Sequence, residues 1–133
     1  MGDLSDHFSR VEFSCRCGCG FDTVDPRLIA LLERARAIFG RRMVVLSGCR
    51  CKQHNKDEGG AHLSQHMGLE NGVPTACRAA DILVNSTIER HALVRAFLDS
   101  GATGVGVAKS FVHGDCGLAD PGLGIVRPAL WTY

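Results

Sequence analysis

No apolar run in the sequence is longer than a few residues. Runs such as Met43–Leu46 and Ile82–Val84 fall far short of the roughly 20 that a membrane-spanning helix needs. Met1–Arg10 shows no basic segment leading into an apolar one, so no secretory signal is expected. Charge of one sign is also missing: 15 Lys and Arg stand against 14 Asp and Glu, for a net charge of +1. That balance argues against a dedicated binder whose affinity rests on a strongly basic face, though it leaves room for a local basic patch, and neither a nucleic acid nor a membrane is expected as partner. There is no internal repeat, low-complexity tract or linker-like stretch. His-Glu-x-x-His, a phosphate-binding loop and a dinucleotide-binding glycine fingerprint are missing too, and no Cys pair has the two-residue spacing of a zinc ribbon. The glycine-rich stretch Gly101–Gly106 is not followed by a helix-forming run, so it does not read as a phosphate cradle.

What is present is a 133-residue chain with 45% apolar residues, enough for one domain with a real core. Seven cysteines and six histidines are the unusual entries in its composition. Residues 1–24 read as an irregular, Cys-rich segment packed on a single domain that covers 1–133, with Cys15, Cys17 and Cys19 among turn-forming glycines. Asp25-Pro26 offers an N-cap and a first-turn proline to a helix whose apolar residues run from Leu28 to Phe39 and stop at Gly40. Met43–Leu46 and Ala79–Val84 read as strands, and Lys52–Glu58 as a short helix. Ser86 and Glu89 form a capping box for a second main helix over about 87–99. Gly104–Val107 and Ser110–His113 follow as strands, and the tail to Tyr133 offers an edge. Two main helices around several short strands predict an α+β domain with a mainly antiparallel sheet.

His66, Asp81 and His113 stand out within this frame. Two neutral imidazoles and one carboxylate make a tripod for Zn²⁺ that leaves a fourth position open to water, as a hydrolytic zinc site requires. Spacing alone does not assemble them, because each residue type has an ordinary structural use. The ordered blocks say more: Ser47-Gly-Cys-Arg50, Gln53-His-Asn-Lys56, Gly59-Gly-Ala61, Ser64-Gln-His66, Ala79-Ala-Asp-Ile82 and Phe111-Val-His-Gly-Asp115. Together they resemble the zinc D-Ala-D-Ala carboxypeptidase-like peptidases, a family that includes phage endolysins and is related to lysostaphin-type enzymes and the hedgehog domain. The resemblance runs from about Phe13 to Trp131.

It implies that His66, Asp81 and His113 hold one catalytic zinc. Arg50 would stabilise an oxyanion or anchor a peptide carboxylate. Ser64, Gln65 and His62 would line the substrate groove or support the ligands. The implied reaction is hydrolysis of peptidoglycan stem peptides next to a D-amino acid, as a carboxypeptidase or endopeptidase. The implied setting is the cell wall, as a phage-encoded lytic protein with other virion proteins among its partners. The alternative is a non-catalytic zinc-containing binding or structural module of the same fold.

Two departures from the family pattern stand out. Fourteen residues, Met67 through Ala80, separate His66 from Asp81 where the family has six, so an extra loop must bulge outward, and Cys77 takes the motif's glycine position near the metal loop. The glutamate that many relatives carry three residues before the last histidine is here Ser110. Asp115 lies on the same strand face as His113 and is expected either to act as general base or to orient a ligand. For the cysteines three states are open. Disulfides, including Cys51 to Cys77 across the insertion, are preferred over a second, structural zinc on Cys15, Cys17 and Cys19 with a ligand such as Cys116, and over plain buried thiols.

Overall fold

The computed structural model describes residues 2–133. Helix α1 spans Pro26–Phe39 and α3 spans Thr87–Asp99, with the short α2, Lys52–Asp57, between them. The strands are β1 (Val45–Ser47), β2 (Leu69–Glu70), β3 (Val73–Pro74), β4 (Ala79–Leu83), β5 (Gly104–Val107), β6 (Phe111–Asp115) and β7 (Ala129–Thr132). The main sheet has the order β1-β4-β6-β5-β7, antiparallel throughout except for the β5–β7 pair. The expected α+β architecture is therefore present, with the tail as the added edge strand. Among the described residues no helix is long and apolar enough to cross a membrane.

The helices start and stop where the sequence says they should. The Asp25 carboxylate accepts from the Arg27 backbone N–H at 2.8 Å, and Gly40 closes α1 with φ of 75°. The Ser86 hydroxyl accepts from the Glu89 N–H at 3.0 Å, and the Glu89 carboxylate accepts from the Asn85 N–H at 2.7 Å. Leu28, Leu31 and Leu32 of α1 and Leu93, Ala96 and Phe97 of α3 are buried against one face of the sheet with Ile82, Val105 and Val112. Each such aliphatic side chain contributes about 1.5–3 kcal/mol on burial.

The N-terminal segment is more ordered than expected. A 3₁₀ turn, Arg10–Phe13, is held where the Glu12 carboxylate accepts from the Ser9 N–H at 2.7 Å, and Phe8 and Phe13 belong to the core. Gly48 makes room for this segment, since a Cβ there would lie 2.8 Å from Phe13 Cα. The first strand starts two residues later than expected, at Val45, with Met43 buried ahead of it.

The extra residues between His66 and Asp81 form a hairpin of their own, β2–β3, rather than an irregular bulge. Asn71 and Gly72 sit between its strands at φ of 51° and 76°, the left-handed pair that a two-residue hairpin turn demands. At its base, the Thr75 hydroxyl and backbone N–H both donate to the Gly68 carbonyl, at 2.6 and 3.2 Å.

The sheet's two faces divide the labour. Ala80, Ile82, Val105 and Val112 turn toward the helices, so Ala79, Asp81, His113 and Asp115 turn the other way. Register places Asp81 directly opposite His113 and Ala79 opposite Asp115.

The Asp25 cap yields a stability prediction. The Arg27 guanidinium bonded to Asp25 lowers its carboxyl below the ordinary 3.8. Asp25→Ala should cost about 1 kcal/mol in urea unfolding at neutral pH. Because the folded-state pKa is lowered, the wild-type advantage is complete above the ordinary carboxyl pKa and is lost as pH falls through the lowered value. A difference between the two proteins that is independent of pH would contradict this account.

Candidate active site

Asp81, near the middle of β4, is 4% exposed and binds through both oxygens. Its Oδ1 lies 3.2 Å from His66 Nε2 and 3.0 Å from His113 Nδ1, and its Oδ2 accepts from Arg50 Nη2 at 3.1 Å. His66 reaches the site from the loop before β2, and His113 from β6. The three residues that the sequence left scattered are brought together at the floor of an open cleft of about 810 Å³.

The hydrogen bonds fix the state of both imidazoles. His66 Nδ1 lies 2.6 Å from the Gly48 carbonyl, which only accepts, so Nδ1 carries the proton and Nε2 presents a lone pair. His113 Nε2 lies 2.7 Å from the Asp115 carboxylate and donates to it, leaving Nδ1 as the free donor atom. Two nitrogen lone pairs and a carboxylate oxygen thus face one another within 4.8 Å. Such a cluster calls for a cation or a proton among them, and the borderline-soft N₂O set suits Zn²⁺.

The two imidazoles shift in opposite directions in the absence of an ion. Burial pulls His66 below the ordinary imidazole value, with Asp81 opposing. For His113 burial also pulls down, but the bonds with Asp115 and Asp81 outweigh it and the net shift is upward. Burial pushes the Asp81 carboxyl up, and its contacts with His113 and His66 more than reverse this, so it stays ionised well below the carboxylate range.

Asp115 is completely buried. Its Oδ1 accepts from Arg127 Nε at 3.0 Å and the Gly117 N–H at 3.0 Å, and its Oδ2 accepts from Arg127 Nη2 at 2.8 Å and from His113 Nε2. Burial raises this carboxyl, but His113 and Arg127 bring it down to about 2. Of the two roles open to Asp115, these surroundings fit the orienting one: the carboxylate faces the far nitrogen of His113, with Arg127 across it. Arg127 escaped sequence reasoning, as it belongs to no motif block; a basic residue just before the edge strand was the one signal on offer. Trp131 of β7 was missed too, and packs 5.1 Å from the His113 ring and 5.3 Å from the Arg127 guanidinium.

Strand β5 makes this second layer fit. A Cβ on Gly104 would run into the Asp115 carboxylate, and one on Gly106 would meet the Trp131 indole at 2.5 Å. The alternation Gly104-Val105-Gly106-Val107 therefore has a core-facing valine between glycines that leave space behind the site.

The other expected residues are placed as follows. Arg50 is anchored by Nε donating to Ser47 Oγ at 2.9 Å and lines the cleft beside Asp81. Ser64 Oγ accepts from the His66 N–H at 3.2 Å. Gln65 is buried against Gly117, with its carbonyl accepting from the Arg78 N–H at 2.9 Å, and His62 is exposed on the cleft rim.

Three expectations about the cysteines are corrected. The Cys77 thiol points into the core against Cys49, with Sγ atoms 2.7 Å apart, and not toward the metal loop; that contact and burial raise its pKa and keep it protonated. Cys51 lies beside Cys17, at 3.7 Å, rather than beside Cys77, so a Cys51–Cys77 bridge does not fit. Cys116 stands apart, with Arg78 O as its neighbour, and is not the fourth member of the N-terminal cysteine cluster.

Two histidines and an aspartate with convergent lone pairs, in an open cleft and braced by a carboxylate behind one imidazole, define a hydrolytic metal-site architecture. The chain belongs to the peptidase M15 family, whose model matches residues 6–115 and so takes in His66, Asp81, His113 and Asp115. This is the zinc D-Ala-D-Ala carboxypeptidase-like family to which the motif blocks pointed. No curated protein matches the chain.

Removing the brace should loosen metal binding without emptying the tripod. Asp115→Asn is expected to weaken zinc affinity by about 10–100-fold in competition with a chromophoric chelator. Unchanged affinity would refute the orienting role.

Proposed function

We propose that this protein is a zinc peptidase that hydrolyses bonds next to a D-amino acid in peptidoglycan stem peptides. The observation that carries the reading is the convergence of His66, Asp81 and His113 in an open cleft, in a chain of the peptidase M15 family. Zinc, when bound there, polarises the scissile carbonyl and lowers the pKa of a water toward ~7.

The chain's own residues do the rest. The Gly48 carbonyl locks the His66 ring, and Asp115, tied down by Arg127, locks that of His113, so both present the correct nitrogen. Arg50 holds the outer oxygen of Asp81, leaving Oδ1 for the ion, and its position at the cleft wall suits it to bind a peptide carboxylate or a developing oxyanion. Asp115 acts through His113 and is a positioning residue. Its buried, Arg127-paired carboxylate is poorly placed to exchange protons with the cleft. The loop Gly59-Gly60-Ala61-His62 and the aromatic side chains of Phe111, Trp131 and Tyr133 supply two walls between which an extended peptide fits. The His113-Gly114-Asp115 block, which resembles the phage and bacterial branch of the family, favours a wall-lytic role of phage type.

Digestion of defined muropeptides, followed by mass spectrometry, tests the reading and identifies the bond. Cleavage is expected with equimolar zinc, to be abolished by a chelator and restored by zinc, and to fall to background in His66→Ala. Intact muropeptides of several wall chemotypes in the presence of bound zinc would instead indicate a non-catalytic binding module.

A further inference from the structure

Four cysteines that the proposed reaction does not use converge from two separate stretches of the chain. Cys15, Cys17 and Cys19 come from the N-terminal segment and Cys51 from the residue after Arg50, and their four Sγ atoms lie within 4.8 Å of one another. Cys15 and Cys17 are 3.4 Å apart at Sγ, and Cys17 and Cys51 3.7 Å. A tetrahedral ion with Zn–S bonds near 2.3 Å sets sulfur–sulfur edges of about 3.8 Å, whereas a disulfide requires about 2.05 Å. The sulfurs therefore stand at the spacing of a shared ion.

Backbone donors and the local turns suit this spot to metal binding. The Cys51 backbone N–H donates to Cys15 Sγ at 3.4 Å, and the His54 N–H donates to Cys51 Sγ at 3.4 Å. Backbone donors aimed at sulfur stabilise the deprotonated, metal-binding form and fix its direction. Gly18 and Gly20 take φ of 82° and 90°, the left-handed turns that wrap alternate residues of Cys15–Cys19 around one point. Cys17 and Cys19 are exposed, so the cluster is not hydrophobic packing of buried thiols.

We propose that Cys15, Cys17, Cys19 and Cys51 form a second, structural metal site that takes a thiophilic divalent cation, Zn²⁺ in the first instance, with the thiol protons released to solvent on binding. All four positions of the tetrahedron are filled by protein, so the site is closed and holds no water to activate. Its effect is mechanical. It staples the N-terminal segment to the loop that carries Arg50, a loop already tied where the Cys49 N–H donates to the Phe13 carbonyl at 2.8 Å and the Arg50 N–H donates to the His66 carbonyl at 3.0 Å.

Cobalt substitution reads this site separately from the cleft, because only thiolate ligands give an intense near-ultraviolet sulfur-to-cobalt charge-transfer band. The full chain, reduced and loaded with Co²⁺, should show that band, and His66→Ala should keep it. In the His66→Ala protein loaded with zinc, a chelator should lower the melting temperature. The double variant Cys17→Ser, Cys19→Ser, altered at the two exposed ligands, should lose the band and bind one metal equivalent fewer than the wild type. Absence of the band in the reduced wild type, which needs no variant to fold, would overturn the proposal. So would a band that survives in the double variant, or a disulfide among these four cysteines in zinc-loaded protein. Muropeptide cleavage plays no part in these readouts, so the site stands or falls independently of the cleft chemistry.

Discussion

Everything near the cleft answers to one buried charge, the carboxylate of Asp81. Leaving an ionised carboxylate in the interior without partners costs several kcal/mol, and here each oxygen is matched from a different part of the chain. Arg50 meets one oxygen from the loop after β1; His66 and His113 meet the other from the loop before the hairpin and from β6. The match depends on register, because Asp81 and His113 are cross-strand partners. A slip of one residue would turn both toward the helices and bury two polar groups in the apolar layer.

The second imidazole carries this constraint outward. His113 leans on Asp115, Asp115 is a buried anion in its own right, and Arg127 neutralises it from the connection before β7. The edge strand thus does more than widen the sheet. It brings Trp131 over both the His113 ring and the Arg127 guanidinium, and β5 must present glycine at 104 and 106 to admit these groups. A polar relay four residues deep is threaded through a sheet only five strands wide.

How much of this was legible in the sequence follows physical lines. Helices α1 and α3 were legible to the residue because capping is local chemistry: Asp25-Pro26 and the Ser86–Glu89 box name their own positions. The convergence of His66, Asp81 and His113 was legible through ordered motif blocks, not through spacing, since the sheet pairs Asp81 with His113 and a loop distant in sequence brings His66 to them. The hairpin was hidden because strands of two residues carry no periodicity, although Asn71-Gly72 was a usable sign. Arg127 was hidden because an ion pair between distant residues leaves no local mark. Cysteine partners failed for the same reason, and Cys51 could have paired with any of six others until the fold placed it beside Cys17.

The Asn71-Gly72 hairpin changes how the distance between two ligands should be counted. Lengthening a flexible connection from six residues to fourteen would raise its closure entropy by only about 0.8 kcal/mol. The extra residues recover even part of that, because they pair with each other and are tied at Gly68 and Thr75. For the cluster of His66, Asp81 and His113 the effective separation of His66 and Asp81 is the width of the hairpin's base, not the number of residues that hang from it. The insertion is thus geometrically silent at the cluster, and its tip is a place where sequence and length can vary while His66 and Asp81 stay still.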